Sequence, residues 1–255
     1  KEAIFEANFN NYNLITLFFS SDDIDQFLYA ITMPDVEFSE LSDHLGLPTK
    51  YVYYLVGPIG IGKSTALSQF GSLTTLDEWF DDRPEEMAQS PSELATHVTM
   101  SIDAWTNEQF RKKNNYLDRK EVGVFLVNRS PLDPLTFAPD NEEAARAKSM
   151  IINGIRPARS KKKVVAGEVL HMVGDEKEIW SRLITKRKEY SWPPERILEL
   201  QNKSKRVYAS LDPKFIYATQ RKEVEVIRDI AKVIFSREYA PVDLDAQLVE
   251  AANGI

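Results

Sequence analysis

YVYYLVGPIGIGKST, residues 51–65, decides how the rest of this chain is read. Residues 51–56 are aromatic, aliphatic or β-branched, the side chains that suit a buried strand. The run breaks at Gly57, and the spacing G-x-x-x-x-G-K-[ST] follows, ending in Gly62, Lys63 and Ser64. Glycines at 57, 60 and 62 let the backbone curl and turn successive N–H groups inward. A helix-forming run over residues 66–70 then brings the positive end of a helix to the same point. An anion belongs there. The loop Gly57, Pro58, Ile59, Gly60, Ile61, Gly62, Lys63, Ser64, Thr65 is therefore expected to hold a nucleoside triphosphate, ATP. Lys63 would reach the outer phosphates and Ser64 would ligate Mg2+.

The 255 residues suffice for one large α/β domain with an added segment. Hydrophobic side chains make up 43% and charged ones 28%, the balance of a chain that can build a real core. A formal net charge of −7 argues against broad binding to nucleic acid. The chain contains no cysteine, which excludes disulfides, thiolate metal sites and cysteine nucleophiles. Its three histidines, His44, His97 and His171, lie far apart without ligand spacing. No apolar run approaches membrane-spanning length and no signal-peptide pattern opens the chain, so the cytoplasm is the expected compartment.

Residues 1–50 are expected to form an extension packed on the main domain, its role open; in a reading of the chain as a regulatory module it would dock a protein partner. A strand is expected over residues 13–20 and a helix over 24–31. Residues 38–55 superficially resemble a DNA-reading helix-turn-helix, but the phosphate loop needs 51–56 as a buried strand. Past the loop, residues 72–76 read as a second strand, and helical spacing runs through 85–114. VGVFLV, residues 122–127, is a near-continuous apolar run of the kind buried on both faces of a parallel sheet. Helices follow over 141–155, 176–189, from Pro194 and over 223–235; strands are expected over 164–173 and 215–219. This alternation implies an α/β fold, a parallel sheet of about five strands with helices on both faces, over residues 51–240. Residues 241–255 read as a tail.

Ligands gather at the carboxyl ends of such strands. The second strand ends in Asp77, Glu78 and Trp79, the third in Asn128, Arg129 and Ser130. A carboxylate there could take a proton from an attacking hydroxyl or hold Mg2+ through water. Arg129 could pin an acceptor or stabilise charge on a transferred phosphoryl group, and Trp79 could stack on a planar acceptor.

This combination resembles the deoxynucleoside and thymidylate kinase group of P-loop kinases. The match runs from the phosphate loop through Asp77–Glu78 with Trp79, then Trp105 and Gln109–Phe110–Arg111, then NRSPLDPLTF (128–137), then Arg182 and Lys186–Arg187. It covers roughly residues 51–236. The resemblance implies a P-loop NTPase fold and phosphoryl transfer to a nucleoside or nucleoside monophosphate. Glu78 or Asp77 would be the base, Gln109 would meet the nucleobase edge, and Arg111 and Arg129 would contact the acceptor. Arg187 would close over the ATP phosphates, and the group makes a homodimer plausible. Where the group carries an acidic residue that helps hold Mg2+, this chain has Asn128. Either Asp77 or Asp133 takes that role, or the chain is a nucleotide-binding regulatory module with little turnover. A kinase acting on another small molecule or a sugar nucleotide is the third reading.

Overall fold

The computed structural model describes residues 3–7, 15–19, 50–88, 96–138, 140–152, 155, 163–186 and 193–254. Near the N-terminus, β1 (Ala3–Ala7) and β2 (Ile15–Phe19) pair antiparallel. The rest is organised by β3 (Lys50–Val56), the strand that feeds the glycine-rich loop. Its side chains alternate across the pleat: Val52, Tyr54 and Val56 pack on one face, Tyr53 and Leu55 on the other. Both faces are covered, which is why the run is apolar without interruption. The tyrosines keep their hydroxyls satisfied, Tyr53 donating to the Ile234 carbonyl at 3.2 Å and Tyr54 to that of Val165 at 2.8 Å.

Around β3 stand β4 (Thr74–Leu76), β5 (Gly123–Asn128), β6 (Glu168–Val173) and β7 (Lys214–Tyr217). The order across the sheet is β4-β5-β3-β6-β7, every neighbouring pair parallel. The chain after β3 runs outward to β4 and returns through β5, then continues on the opposite side with β6. A crevice therefore opens above the carboxyl end of β3.

One face of the sheet is covered by α1 (Lys63–Leu67), α4 (Glu176–Lys186) and α6 (Glu223–Phe235). The other is covered by α2 (Thr96–Asp118), α3 (Glu143–Ile152) and α7 (Leu244–Asn253). Helix α5 (Pro194–Tyr208) serves both: Ile197 and Leu200 enter the first core, Val207 and Tyr208 the second. Among the described residues no helix is long and apolar enough to cross a membrane.

Two expectations are corrected. The helix expected over 85–114 is a 3-10 turn at Glu85–Ala88 and a helix that begins at Thr96 and runs on to Asp118. The tail expected over 241–255 contains α7, whose Leu244, Leu248 and Ala252 are buried in the second core. Residues 51–56 are the central strand that the phosphate loop requires, as expected. The helix expected over 24–31 lies outside the described residues.

Candidate active site

The loop after β3 is shaped by two glycines with no substitute. Gly57 has φ +137°, and a Cβ there would lie 2.4 Å from the Met172 carbonyl oxygen. Gly62 precedes α1 with φ +110°. L side chains avoid both conformations, so the curl toward the helix depends on glycine. Lys63 is buried, and its ammonium donates to the carbonyls of Gly57 at 2.8 Å and Pro58 at 2.9 Å. Ser64 and Thr65 are exposed at the helix start.

Next to this loop, β5 delivers Asn128 and Arg129. Arg129 has φ +66°, a left-handed conformation for a side chain that disfavours it. Its N–H donates to the Leu55 carbonyl at 3.0 Å, which ties the turn to the sheet. Such a residue costs about 1–3 kcal/mol unless its surroundings over-determine it, and positions of this kind cluster at functional sites. The surroundings here are two carboxylates. Arg129 Nε donates to Glu78 Oε1 at 2.7 Å and its Nη1 to Asp133 Oδ2 at 2.9 Å. Burial disfavours its charge, but Glu78 and Asp133 more than offset that, so Arg129 stays protonated. Its guanidinium lies 5.6 Å from the Trp79 ring and 5.8 Å from that of Phe137.

The loop, Glu78 and Arg129 line one cavity of ≈ 330 Å3, together with Arg182, Leu183, Ala218 and Arg221. That volume falls at the lower end of small-molecule sites, roughly 300–1,000 Å3. Arg182 is ion-paired with Glu178, and Arg221 with Asp229 at 2.7 Å.

Mg2+ calls for oxygen donors beside Ser64. The Asn128 Nδ2 bridges Ser64 Oγ at 3.0 Å and Asp77 Oδ1 at 3.2 Å, so the hydroxyl and the carboxylate converge on one point. The buried Asn128 Oδ1 has no hydrogen-bond partner. A hydroxyl and an exposed carboxylate suit a cation that keeps most of its waters. Ser64 and Asp77 would hold it, in place of the Asn128 N–H bonds that now join them; bound there, Mg2+ would neutralise charge on the phosphates.

Asp133, expected as the other metal ligand, is corrected. One oxygen accepts from Arg129 and the other from the Tyr208 hydroxyl, and the side chain is buried. Gln109 is also spent internally. Its Oε1 accepts from the Phe80 and Asp81 N–H groups at 2.9 and 3.1 Å, and its Nε2 donates to Asp81 Oδ2 at 2.7 Å. It holds the segment after β4 instead of presenting its amide to the cavity. Arg111 turns to Glu108 on its own helix and does not line the cavity. Trp79 packs on Trp105 at 5.0 Å and Phe110 at 6.0 Å. Arg187 lies outside the described residues.

Sequence reasoning missed three groups. Arg221 follows the carboxyl end of β7, so the rule that sites gather at strand ends could have found it. Lys113 stands one turn beyond Gln109 on the same face of α2, a spacing that could have flagged it. It is buried, donates to the Asn128 carbonyl at 2.6 Å, and burial lowers its pKa to about 7. Tyr208 carried no local signal.

Solved structures share this architecture. A deoxyadenosine kinase from M. mycoides with the products dCMP and dCDP bound superposes with TM-score 0.54 at 16% identity, covering 73% of this chain and 100% of that one. The same enzyme with bound dATP gives 0.52 at 16% identity, over 71% of this chain and 98% of that one. A thymidylate kinase from Ehrlichia chaffeensis gives 0.44 at 10% identity over 73% and 99%. No protein-family model matches the chain, and no curated protein matches its sequence. The chain has the P-loop kinase fold.

Proposed function

We propose that this protein is an ATP- and Mg2+-dependent kinase that phosphorylates a small acceptor, a nucleoside or nucleoside monophosphate. One observation carries the reading: Lys63 and Ser64 of the phosphate loop share a single cavity with the Glu78–Arg129 pair. The first two suit a polyphosphate donor, the second two a hydroxyl acceptor.

In this reading the β- and γ-phosphates lie against the N–H groups of residues 57–65, with Lys63 exchanging its loop carbonyls for phosphate oxygens. The acceptor hydroxyl gives its proton to Glu78 as its oxygen attacks the γ-phosphorus. The bond from that phosphorus to the β–γ bridging oxygen breaks, and ADP leaves. Arg129, held charged by its two carboxylates, stabilises the three equatorial oxygens in transit. Arg182 and Arg221, which line the same cavity, meet the donor phosphates. Trp79 backs the Arg129 guanidinium from beneath the cavity lining.

The test is acceptor-dependent formation of ADP from ATP and Mg2+ over a panel of nucleosides and nucleoside monophosphates. Turnover with one class and not the other identifies the acceptor; ATP binding with no turnover on any member rejects the kinase reading.

Asn128 favours a second reading, a nucleotide-binding regulatory module with little turnover. An amide carries no charge where Mg2+ prefers carboxylate oxygen. The same panel separates the two.

A further inference from the structure

We propose that Asp133 and Tyr208 are positioning residues that hold Arg129 in its working orientation, an inference that rests on the kinase reading for its catalytic meaning. Neither touches the cavity. The Tyr208 hydroxyl donates to Asp133 Oδ1, and since it has only one proton, its 2.6 Å contact with Ser130 must be a bond donated by the serine. Ser130 Oγ in turn accepts from the Leu132 N–H at 3.1 Å. The result is a directed chain, Ser130 to Tyr208 to Asp133, and Asp133 then accepts from Arg129. Every member is buried, so each bond polarises the next in a poorly screening interior.

The origin of the chain is helix α5. Gln201, Ser204 and Tyr208 fall three and four residues apart on one face, and all three are buried. Gln201 is bonded twice to the Gly174 backbone at the end of β6, at 2.9 and 3.0 Å. Ser204 meets His171 Nε2 at 3.1 Å. Tyr208 reaches across to the turn after β5. One helix thus pins two strand ends, and at the second it fixes the carboxylate that orients Arg129. A left-handed Arg129 needs such a restraint: Glu78 holds one edge of the guanidinium, but only Asp133 holds the other against a rigid element.

The experiment compares the parent protein with Tyr208→Phe and Asp133→Asn, both near-isosteric. The first readout needs no turnover: hydrogen exchange at the Arg129 Nη1–H, the group bonded to Asp133, by 15N NMR, the resonance assigned by its loss in Arg129→Lys. Exchange should accelerate about tenfold or more in each variant, and kcat should fall about tenfold with the ATP Kd within about twofold of the parent. Unchanged exchange in both folded variants overturns the proposal even if activity drops. So does a parallel loss of ATP affinity, which would mean general damage. If one variant fails to fold by circular dichroism, the other decides. Should the parent phosphorylate nothing, the kinase reading falls while the exchange rates still settle how Arg129 is held.

Discussion

Asn128 and Lys113 show how much chemistry single residues contribute at the end of β5. The Asn128 amide nitrogen sits between Ser64 Oγ and Asp77 Oδ1. A carboxylate in its place would face Asp77 with like charge, a repulsion that a divalent cation would relieve. Asn128→Asp should therefore shift Mg2+ titrations of thermal stability to concentrations about tenfold lower, a typical size for a change beside a metal. Superimposed titrations would mean that Ser64 and Asp77 already hold the ion. Lys113 makes a different prediction. Its folded pKa of about 7 lies below the ordinary 10.5. Between those pH values the unfolded chain binds the proton and the folded chain does not, so this group makes stability rise with pH across that window. The unfolding free energy of the wild type relative to Lys113→Met should climb by about 1 kcal/mol per pH unit between pH 7 and 9 in urea titrations. A flat difference would show that Lys113 stays charged inside.

At the level of elements, the segment past residue 240 completes the fold. Val242 bridges to Gly167, Asp243 caps α7 by accepting from the Ala246 N–H at 2.9 Å, and α7 lays Leu244, Leu248 and Ala252 into the core beside α3. Leu248 is fully buried. Leu248→Ala should cost about 2–5 kcal/mol, read from the shift in urea midpoint at constant slope. A loss under about 1 kcal/mol would mean that the helix docks loosely enough to collapse around the gap. The same scale explains why α5 spans both cores. Its N-terminal half packs on the face with α4 and α6, its C-terminal half on the face with α2 and α7, and the polar residues between lie against the strand ends.

For the whole molecule, the cavity draws on elements from both halves of the sheet: the loop after β3, the ends of β4 and β5, helix α4, and the turn between β7 and α6. A ligand bridging them should stabilise all of them at once. ATP with Mg2+ at about 100 times its Kd adds about 2.7 kcal/mol, a rise in Tm of roughly 5–10 °C for a chain of this size. Lys63→Ala should abolish that rise while leaving the unliganded Tm within a few degrees, as measured by scanning calorimetry. An undiminished rise would place the nucleotide elsewhere.

The fold was legible in residues 51–65 because a Gly-rich turn between a strand and a helix is a local device: its glycines answer to backbone sterics, and its neighbours to burial on both faces. The same local logic marked Asp77, Glu78 and Arg129 as strand-end residues. What contacts they make was decided only in three dimensions. Asp133 reads as one more carboxylate near a metal until Tyr208, 75 residues away, takes one of its oxygens and Arg129 the other. Gln109 reads as a base-contacting residue until the backbone of Phe80 and Asp81 engages its carbonyl oxygen. Spacing records what a segment does to itself; which buried donor meets which acceptor is settled by the packing of elements distant in sequence, because no such group is left unpaired without a cost of about 1–3 kcal/mol.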